Sequence, residues 1–259
     1  MDYFKKLTEN PYADFYWNIP ETRQGALRII GGNAQNFRTP IKTAEIISTK
    51  YPVKDLVVVL PDALKTKLPS LDNLIFLSST DSGSFANAEE LIKAINVADF
   101  SIMIGDLSKN SITAKALSSA VGTSEKPLLL TRDSVDLFAE ECTEKSLMNE
   151  NLIIFGSIAQ LQKVFKAVYY PKMVLLSQSL VQISDALHKF TLSYPITFIT
   201  LHAGQVLVAQ NGEVVAVPLE ETGFSPLTIW GGELAAKIAT LNLYNPNNFL
   251  KASVAAIFA

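Results

Sequence analysis

Two glycines and a carboxylate stand together near the C-terminal end of the chain, at Gly231, Gly232 and Glu233, and a small-residue stretch typical of a helix follows them. The first turn of a helix has backbone N–H groups without partners and carries the positive end of the helix dipole. This junction therefore predicts a phosphate site, which includes Thr228 shortly before it. A carboxylate beside a bound phosphate can accept a proton from a substrate hydroxyl, so Glu233 is the candidate general base. Alternatively, Glu233 only stabilises the first helical turn, where an acid is favoured by roughly 0.3 to 1 kcal/mol.

The segments that must position this junction alternate between short apolar runs and amphipathic stretches. Apolar runs rich in β-branched residues predict strands at 26–30, 55–60, 74–77, 100–104, 127–130 and 152–155. Apolar residues three or four apart predict helices at 40–47, 88–95, 111–120, 135–139 and 183–190. Turn sequences at 202–205 and 211–212 predict antiparallel strands at 198–201, 206–209 and 213–217. We expect a three-layer α/β sandwich with a mostly parallel central sheet, flanking helices and antiparallel strands at its edge.

Ligands of open α/β sheets lie beyond the carboxyl ends of the strands, so the residues that follow the predicted strands are candidate substrate-binding residues. These candidates are Gly32, Asn33, Gly105, Asp106 and Asp133. A purely structural role stays open for each of them. The glycines are compatible with simple turns, and Asp106 and Asp133 with caps of the helices predicted at 111–120 and 135–139.

Length and composition exclude several classes of protein. The chain has 259 residues, 48% of them hydrophobic, which is enough for one large core, and we expect a single domain over 1–259 with an N-terminal arm at 1–25. A net charge of −3 argues against a nucleic-acid partner. One cysteine rules out an internal disulfide, and two histidines leave little for a metal site. No segment predicts a signal peptide or a membrane span, so we expect a cytoplasmic protein.

Several segments, taken in order, share features with one known superfamily. The chain has Arg-Ile-Ile-Gly-Gly-Asn at 28–33 and Lys-Pro-Leu-Leu-Leu-Thr-Arg-Asp-Ser-Val at 126–135. The segment 98–105, the turn at 203–204 and the glycines before Glu233 complete the set. Their order resembles the ribokinase-like superfamily, and within it the ATP- or ADP-dependent NAD(P)H-hydrate dehydratases, which repair hydrated nicotinamide cofactors. The corresponding family motifs are Gly-Gly-Ser or Gly-Gly-Asn, Lys-Pro with Asp-Ala-Asp-Ala-Leu, and Gly-Ser-Gly-Asp or Gly-Thr-Gly-Asp.

The chain departs from this family at several motifs. The family's Gly-Pro-Gly-Leu-Gly loop is reduced to Gly-Asp-Leu-Ser at 105–108, and its Thr-Pro-His-Pro-Gly-Glu segment is replaced at 154–159. The family's Gly-Ala pair falls near 38–40, where the side chains are larger. Its nucleotide-binding Lys-Gly pair falls on Leu201 and His202, so His202 is the candidate replacement for the lost cation. Glu233 stands in place of the family's Asp.

The resemblance implies an ATP- or ADP-dependent enzyme that uses Mg²⁺ and both phosphorylates a hydroxyl and then eliminates the phosphate. Its partners would be an adenine nucleotide and a nicotinamide-type or other small hydroxylated substrate. Two alternatives remain. One is a catalytically impaired homologue that binds a nucleotide or serves as a structural subunit, and the other is a kinase for a sugar or a vitamin precursor.

Aromatic residues outside these motifs point to assembly and packing. Tyr12, Phe15, Tyr16 and Trp17 form a cluster in the N-terminal arm, which we expect either to cover the sheet edge or to dock on a second subunit. The sequence thus predicts a homo-oligomer. Trp230 is expected in the core or stacked on a ligand ring, and His188 at the surface of its helix.

Overall fold

The apolar runs of this chain form strands because both faces of the sheet are covered by helices, and no polar face is required. The computed structural model describes residues 2–69 and 71–258. The strands are β1 (Phe4–Lys6), β2 (Gln24–Gly31), β3 (Val53–Pro61), β4 (Leu74–Leu77), β5 (Phe100–Gly105), β6 (Leu128–Thr131), β7 (Leu152–Phe155), β8 (Thr197–His202), β9 (Gln205–Gln210) and β10 (Glu213–Pro218). The helices are α1 (Arg38–Lys50), α2 (Ala88–Asn96), α3 (Ser111–Thr123), α4 (Asp133–Glu140), α5 (Glu144–Leu147), α6 (Ile158–Ala167), α7 (Leu180–Ser193), α8 (Glu233–Tyr244) and α9 (Phe249–Ile257).

The described strands form one sheet in the order β1-β10-β9-β8-β7-β6-β5-β2-β3-β4. The pairs from β4 through β8 are parallel, and β9 is antiparallel to both β8 and β10. The mostly parallel sheet with antiparallel strands toward one edge is therefore confirmed. One detail differs from the prediction, because β1 pairs in parallel with β10 and forms the outermost strand on that side. A strand of only three residues is too short to show an alternating pattern in the sequence, so β1 was not predicted.

Successive residues of each strand point to opposite faces and enter two separate cores. In β2, Ile30 belongs to the core that the sheet shares with α2 through α7, and Ile29 to the core that it shares with α1, α8 and α9. The sheet is thus the middle of three layers. All seven parallel strands, β2 through β8, bring their carboxyl ends to one edge of the sheet, where the candidate residues gather.

The N-terminal arm is integrated into this fold. Besides β1, a 3₁₀ turn at Ala13–Asn18 packs its aromatic side chains on the layer of α8 and α9. The Tyr16 hydroxyl donates to the carbonyl oxygen of Ala255 at 3.2 Å, and the ammonium of Lys237 lies 5.7 Å from the Tyr16 ring centre. Trp17 remains 86% exposed. Most of the aromatic cluster therefore has an intramolecular role, and its proposed contact with a second subunit stays a prediction.

Within residues 2–69 and 71–258, no helix combines the length and the apolar character that crossing a bilayer requires.

Candidate functional site

The carboxyl ends of β2 and β5 lie so close together that they require glycine. The β2–β5 register shifts after Ile30 and pairs Gly31 with Gly105. A Cβ atom on Gly31 would lie 2.5 Å from the carbonyl oxygen of Gly105, and the Gly32 N–H donates to that same oxygen at 2.9 Å. The predicted glycines at both strand ends are thus brought together. Their small size is explained by this backbone contact.

Asn33 links the two loops that leave these strands. Its Nδ2 donates to the carbonyl oxygen of Asp106 at 2.6 Å. Its Oδ1 accepts from the backbone N–H groups of Gln35 and Asn36 at 2.8 and 3.0 Å. Both ends of the amide are therefore engaged within the protein, which assigns Asn33 to loop positioning in this structure.

Asp106 is a buried carboxylate that caps α1. Its Oδ2 accepts from the backbone N–H of Thr39 in the first turn of that helix, at 2.9 Å. The sequence alternative assigned Asp106 to the cap of the helix near residue 111, and this assignment was wrong. The cap of α3 is Asn110, whose Oδ1 accepts from the Thr113 N–H at 2.8 Å.

Asp133 begins α4 and is held between two loops. Its Oδ2 accepts from the Leu107 N–H at 2.8 Å, whereas its buried Oδ1 has no hydrogen-bond partner among the described residues. A Cβ atom on Gly105 would lie only 2.0 Å from that Oδ1. Burial raises the pKa of Asp133 above its ordinary 3.8, opposed by the hydrogen bond from Leu107 and by the charge of Arg132. Asp133 thus joins Asp106 under the strand ends, as predicted from their positions.

Arg132, which was not among the residues predicted from the sequence, connects Asp106 with the glycines before α8. Its Nη1 donates to the carbonyl oxygen of Trp230 at 3.1 Å, and its Nη2 lies 3.9 Å from Oδ1 of Asp106. Its Nε is buried without a partner among the described residues. The signal was present in the sequence, because Arg132 occupies the position of an alanine in the family motif Asp-Ala-Asp-Ala-Leu.

Gly232 and Gly231 shape the start of α8 beside Arg132. Gly232 is the N-cap with φ +93°, and a Cβ atom there would lie 2.6 Å from Oγ1 of Thr43 on α1. The Gly231 N–H donates to the carbonyl oxygen of Thr228 at 2.8 Å. The N–H groups of the first turn of a helix have no intrahelical partners. We refer to the Arg132 guanidinium and the first turn of α8 together as the α8 corner. It combines a cation with amide donors, the chemistry that binds an anion.

Glu233 lies at the first turn of α8, and its carboxylate is paired with a lysine at the far end of α1. The side chain is 48% exposed and forms an ion pair with Lys50, the last residue of α1. Lys50 is 11 residues beyond Thr39, the residue that Asp106 caps, a separation of about 16 Å along a helix at 1.5 Å per residue. The carboxylate is therefore directed away from the strand ends in this structure.

The remaining predicted residues have partners within the protein. His202 is buried at the end of β8, with Nε2 2.8 Å from the carbonyl oxygen of Gln178. The Thr228 hydroxyl accepts from the Ser225 N–H at 2.8 Å. Their roles in phosphate binding stay predictions. Trp230 stacks on Phe155 with ring centres 4.8 Å apart, which favours packing over ligand stacking.

His188 has partners that the sequence did not predict. His188 is not a plain surface residue, because it stacks on Tyr3 with ring centres 3.8 Å apart and its Nδ1 lies 2.5 Å from the carbonyl oxygen of Gly212.

In the part of the chain that the structure describes, no group of three or more His, Cys, Asp or Glu side chains could hold a metal ion. Mg²⁺ in nucleotide sites often uses only one or two carboxylates together with the phosphates. Among the candidate acids, the Oδ1 of Asp133 is a buried carboxylate oxygen without a partner among the described residues, the kind of group that such an ion takes.

No protein-family model matches this chain, and no curated protein matches its sequence. Solved structures match it at low identity. A ribokinase-like superfamily protein from Enterococcus faecalis is 14% identical, with 98% of this chain and 85% of that chain covered and a TM-score of 0.64. An ADP/ATP-dependent NAD(P)H-hydrate dehydratase from Bacillus subtilis, crystallised with ATP and Mg²⁺, is 12% identical, with 97% and 86% covered and a TM-score of 0.60. A hydroxyethylthiazole kinase from Pyrococcus horikoshii is 14% identical, with 95% and 80% covered and a TM-score of 0.58.

These similarities extend over nearly the whole chain and confirm the expected architecture. Kinases and a dehydratase share it, so the fold alone does not select a reaction. The three-layer sandwich, the parallel sheet and the antiparallel strands at its edge together give this chain the ribokinase-like fold.

Proposed function

We propose that the chain binds ATP or ADP with the phosphates at the α8 corner. The observation that carries this proposal is the hydrogen bond from Arg132 to the Trp230 carbonyl, which holds a guanidinium beside the first turn of α8. The positive end of a helix dipole and a guanidinium both favour bound phosphate, and a guanidinium can donate two parallel hydrogen bonds to it. Arg132 then supplies a cation in place of the lysine of the family, in addition to the candidate His202.

The reaction that we propose is that of an ATP- or ADP-dependent NAD(P)H-hydrate dehydratase, in which a substrate hydroxyl is phosphorylated and the phosphate is then eliminated. Mg²⁺ bound with the nucleotide would neutralise charge on the phosphates, and Asp106 and Asp133 are the carboxylates available to hold it. Arg132 and the amides of α8 bind and orient the phosphate. Glu233 accepts the hydroxyl proton once its exposed side chain leaves Lys50.

One observation favours a second candidate, a catalytically silent homologue that only binds the nucleotide. In the structure Glu233 is paired with Lys50, and a displacement of a catalytic group by about 1 Å can cost about a hundredfold in rate. This candidate shares the α8 corner with the enzyme. The two therefore differ in turnover and agree in nucleotide binding.

Calorimetric titration with ATP and with ADP, in the presence of Mg²⁺, tests the binding proposal. Loss of a hydrogen bond to a charged group costs about 1.5–3 kcal/mol, so we expect Arg132→Gln to weaken binding at least tenfold. Arg23→Gln is the matched control, because Arg23 precedes β2 at the opposite edge of the sheet and is exposed. Equal affinities of the wild type and Arg132→Gln would place the nucleotide at another site. No binding by the wild type would overturn the proposal.

Recovery of NADH absorbance from hydrated NADH, with ATP or ADP and Mg²⁺, separates the enzyme from the silent homologue. We expect turnover in the wild type, none in Glu233→Gln, and undiminished turnover in Lys50→Gln, which frees the carboxylate. Nucleotide binding without turnover would establish the silent homologue. Unchanged turnover in Glu233→Gln would remove Glu233 from the mechanism.

A further inference from the structure

Two cavities join along the outer face of α1 into one groove, which we name the α1 groove. The larger, of about 630 Å³, begins at Gln35 in the loop before the helix. The smaller, of about 310 Å³, extends toward the sheet edge at β4. Phe37, Ile41 and Glu45 line both cavities, which makes them continuous.

The end of the groove near β4 is apolar. It lies between α1, the neighbouring strands and the segment before β4, and its lining includes Ala44, Leu56, Val58, Leu68, Leu71 and Leu74. Leu71 is 52% exposed there, although it stands beside other apolar side chains. Apolar surface in a concave slot gains free energy when a ligand removes it from water, and the volume is in the range of small-ligand sites.

The other end of the groove is cationic. Arg38 and Lys42 stand one helical turn apart on α1, line the larger cavity and are exposed. Neither side chain has a hydrogen bond or ion pair within residues 2–69 and 71–258. Glu45 lies at the junction of the two cavities, where its negative charge repels an anion from the apolar slot. An anionic group is therefore directed to Arg38 and Lys42.

We propose that the α1 groove binds a single-chain amphiphile with a carboxylate head, a medium-chain fatty acid. The head lies at Arg38 and Lys42, and the alkyl chain lies in the slot that ends near Leu71 and Leu74. The charge complementarity at one end and the apolar lining at the other select this occupant over a uniformly polar or uniformly apolar one. None of the residues that line the α1 groove belongs to the α8 corner, so failure of this proposal leaves the nucleotide-binding proposal standing.

Calorimetric titration with sodium decanoate, below its micelle concentration, tests the proposal directly. Burial of one methylene contributes about 0.8 kcal/mol, a factor of about four, so decanoate is expected to bind about 15-fold more tightly than octanoate. Decanol, which lacks the charge, is expected to bind more weakly than decanoate. No decanoate binding, or no dependence on chain length, would overturn the proposal.

Variants at the two ends of the groove test each half separately. Leu71→Asp places a charge in the slot at an exposed position and is expected to weaken decanoate binding more than tenfold, while Ile112→Asp, at a residue 55% exposed on α3, leaves it unchanged. Arg38→Gln with Lys42→Gln is expected to reduce the preference for decanoate over decanol, and Lys115→Gln to preserve it. Thermal unfolding of each variant verifies that it is folded.

Other occupants of the groove give different results. Sedimentation that shows a dimer in the wild type and a monomer in Leu71→Asp would assign the groove to a second copy of the chain. Binding to anionic vesicles without binding to free decanoate would assign it to a membrane surface. Either outcome overturns the fatty-acid proposal.

Discussion

The two regions in which the sequence concentrates candidate residues differ in how their polar groups are used. Under the ends of β2, β5 and β6, Asp106 and Asp133 are largely buried and bound to backbone N–H groups. At the start of α8, Glu233 is half exposed, and its carboxylate forms an ion pair with Lys50, an exposed lysine. In the first region, the carboxylates hold the loops in place. In the second region, we expect the backbone conformation to stay the same when the carboxylate of Glu233 is removed.

This difference teaches how a strand-end position acquires its role. An acid that follows a buried strand meets the N–H groups of neighbouring loops and helices, and satisfying them stabilises the fold before any ligand is considered. Arg132 lies between the two regions and contacts both, with Asp106 on one side and the Trp230 carbonyl on the other. We therefore expect substitutions in the first region to lower stability as well as the proposed Mg²⁺ binding, and substitutions in the second to change binding and turnover with little loss of stability.

The largest effect is expected from Gly105→Ala. Gly105 has φ +104°, and the new Cβ atom would lie 2.0 Å from Oδ1 of Asp133. Backbone strain and overpacking together cost about 4 kcal/mol in the free energy of unfolding, measured by urea denaturation. The control is Gly204→Ala, where φ is +71° and no atom lies within 4 Å of the added Cβ. Strain alone should cost about 1 kcal/mol there. Equal losses in the two variants would show that the region around Asp133 relaxes easily.

The next effect compares the carboxylates of the two regions. Asp106→Ala leaves the Thr39 N–H of α1 without its partner and is expected to cost about 2–3 kcal/mol. Asp106→Asn, which keeps an acceptor oxygen, should cost about 1 kcal/mol. Glu233→Ala removes only a surface ion pair, and the free energy of unfolding should change by less than about 0.5 kcal/mol. A large loss in Glu233→Ala would show that both regions depend on their acids for stability.

Strands that are buried on both faces and bounded by turn-forming residues were predictable from the sequence. The strand predicted at 152–155 is β7, and the run predicted at 100–104 is β5. Helices α6 and α9 were not predicted, for opposite reasons. In α9 nearly all side chains are buried, so no polar face marks a helical period. In α6 the cap by Ser157 and Gln160 is a readable signal, but Ser157 lies in the segment 154–159 that stands where the family has a loop motif.

The sequence predicted where in the fold the candidate residues lie, but only some of the contacts that their side chains make. Strand-end position brought Gly32, Asn33, Gly105, Asp106 and Asp133 together as expected. The partner of each carboxylate was not readable, because it depends on residues distant in sequence. Asp106 binds Thr39 and Glu233 binds Lys50, 67 and 183 positions away. Pairings at such separation are fixed by the packing of α1 against the sheet and α8.

The smallest expected effect is on the pH dependence of stability, which should differ between the buried Asp133 and an exposed carboxylate. Burial raises the pKa of Asp133 above 3.8 in the folded state, so between 3.8 and the raised pKa the folded protein binds more protons than the unfolded chain. The stability that protonated Asp133 contributes is present below 3.8 and is lost as pH rises through the folded pKa. Urea denaturation from about pH 3.5 to about pH 7 should therefore show Asp133→Asn gaining on the wild type as pH rises.

Asp185 is the control of opposite sign. Hydrogen bonds from Lys172 and Lys189 lower the pKa of Asp185 to about 2. Its ionised form contributes stability above 3.8, and that contribution is lost as pH falls toward 2, so Asp185→Asn should gain on the wild type as pH falls. If both variants shifted in the same direction, the position of Asp133 under the strand ends would not be the source of its shifted pKa. Opposite directions would show that burial sets the pKa of Asp133 and that hydrogen bonds from lysines set the pKa of Asp185.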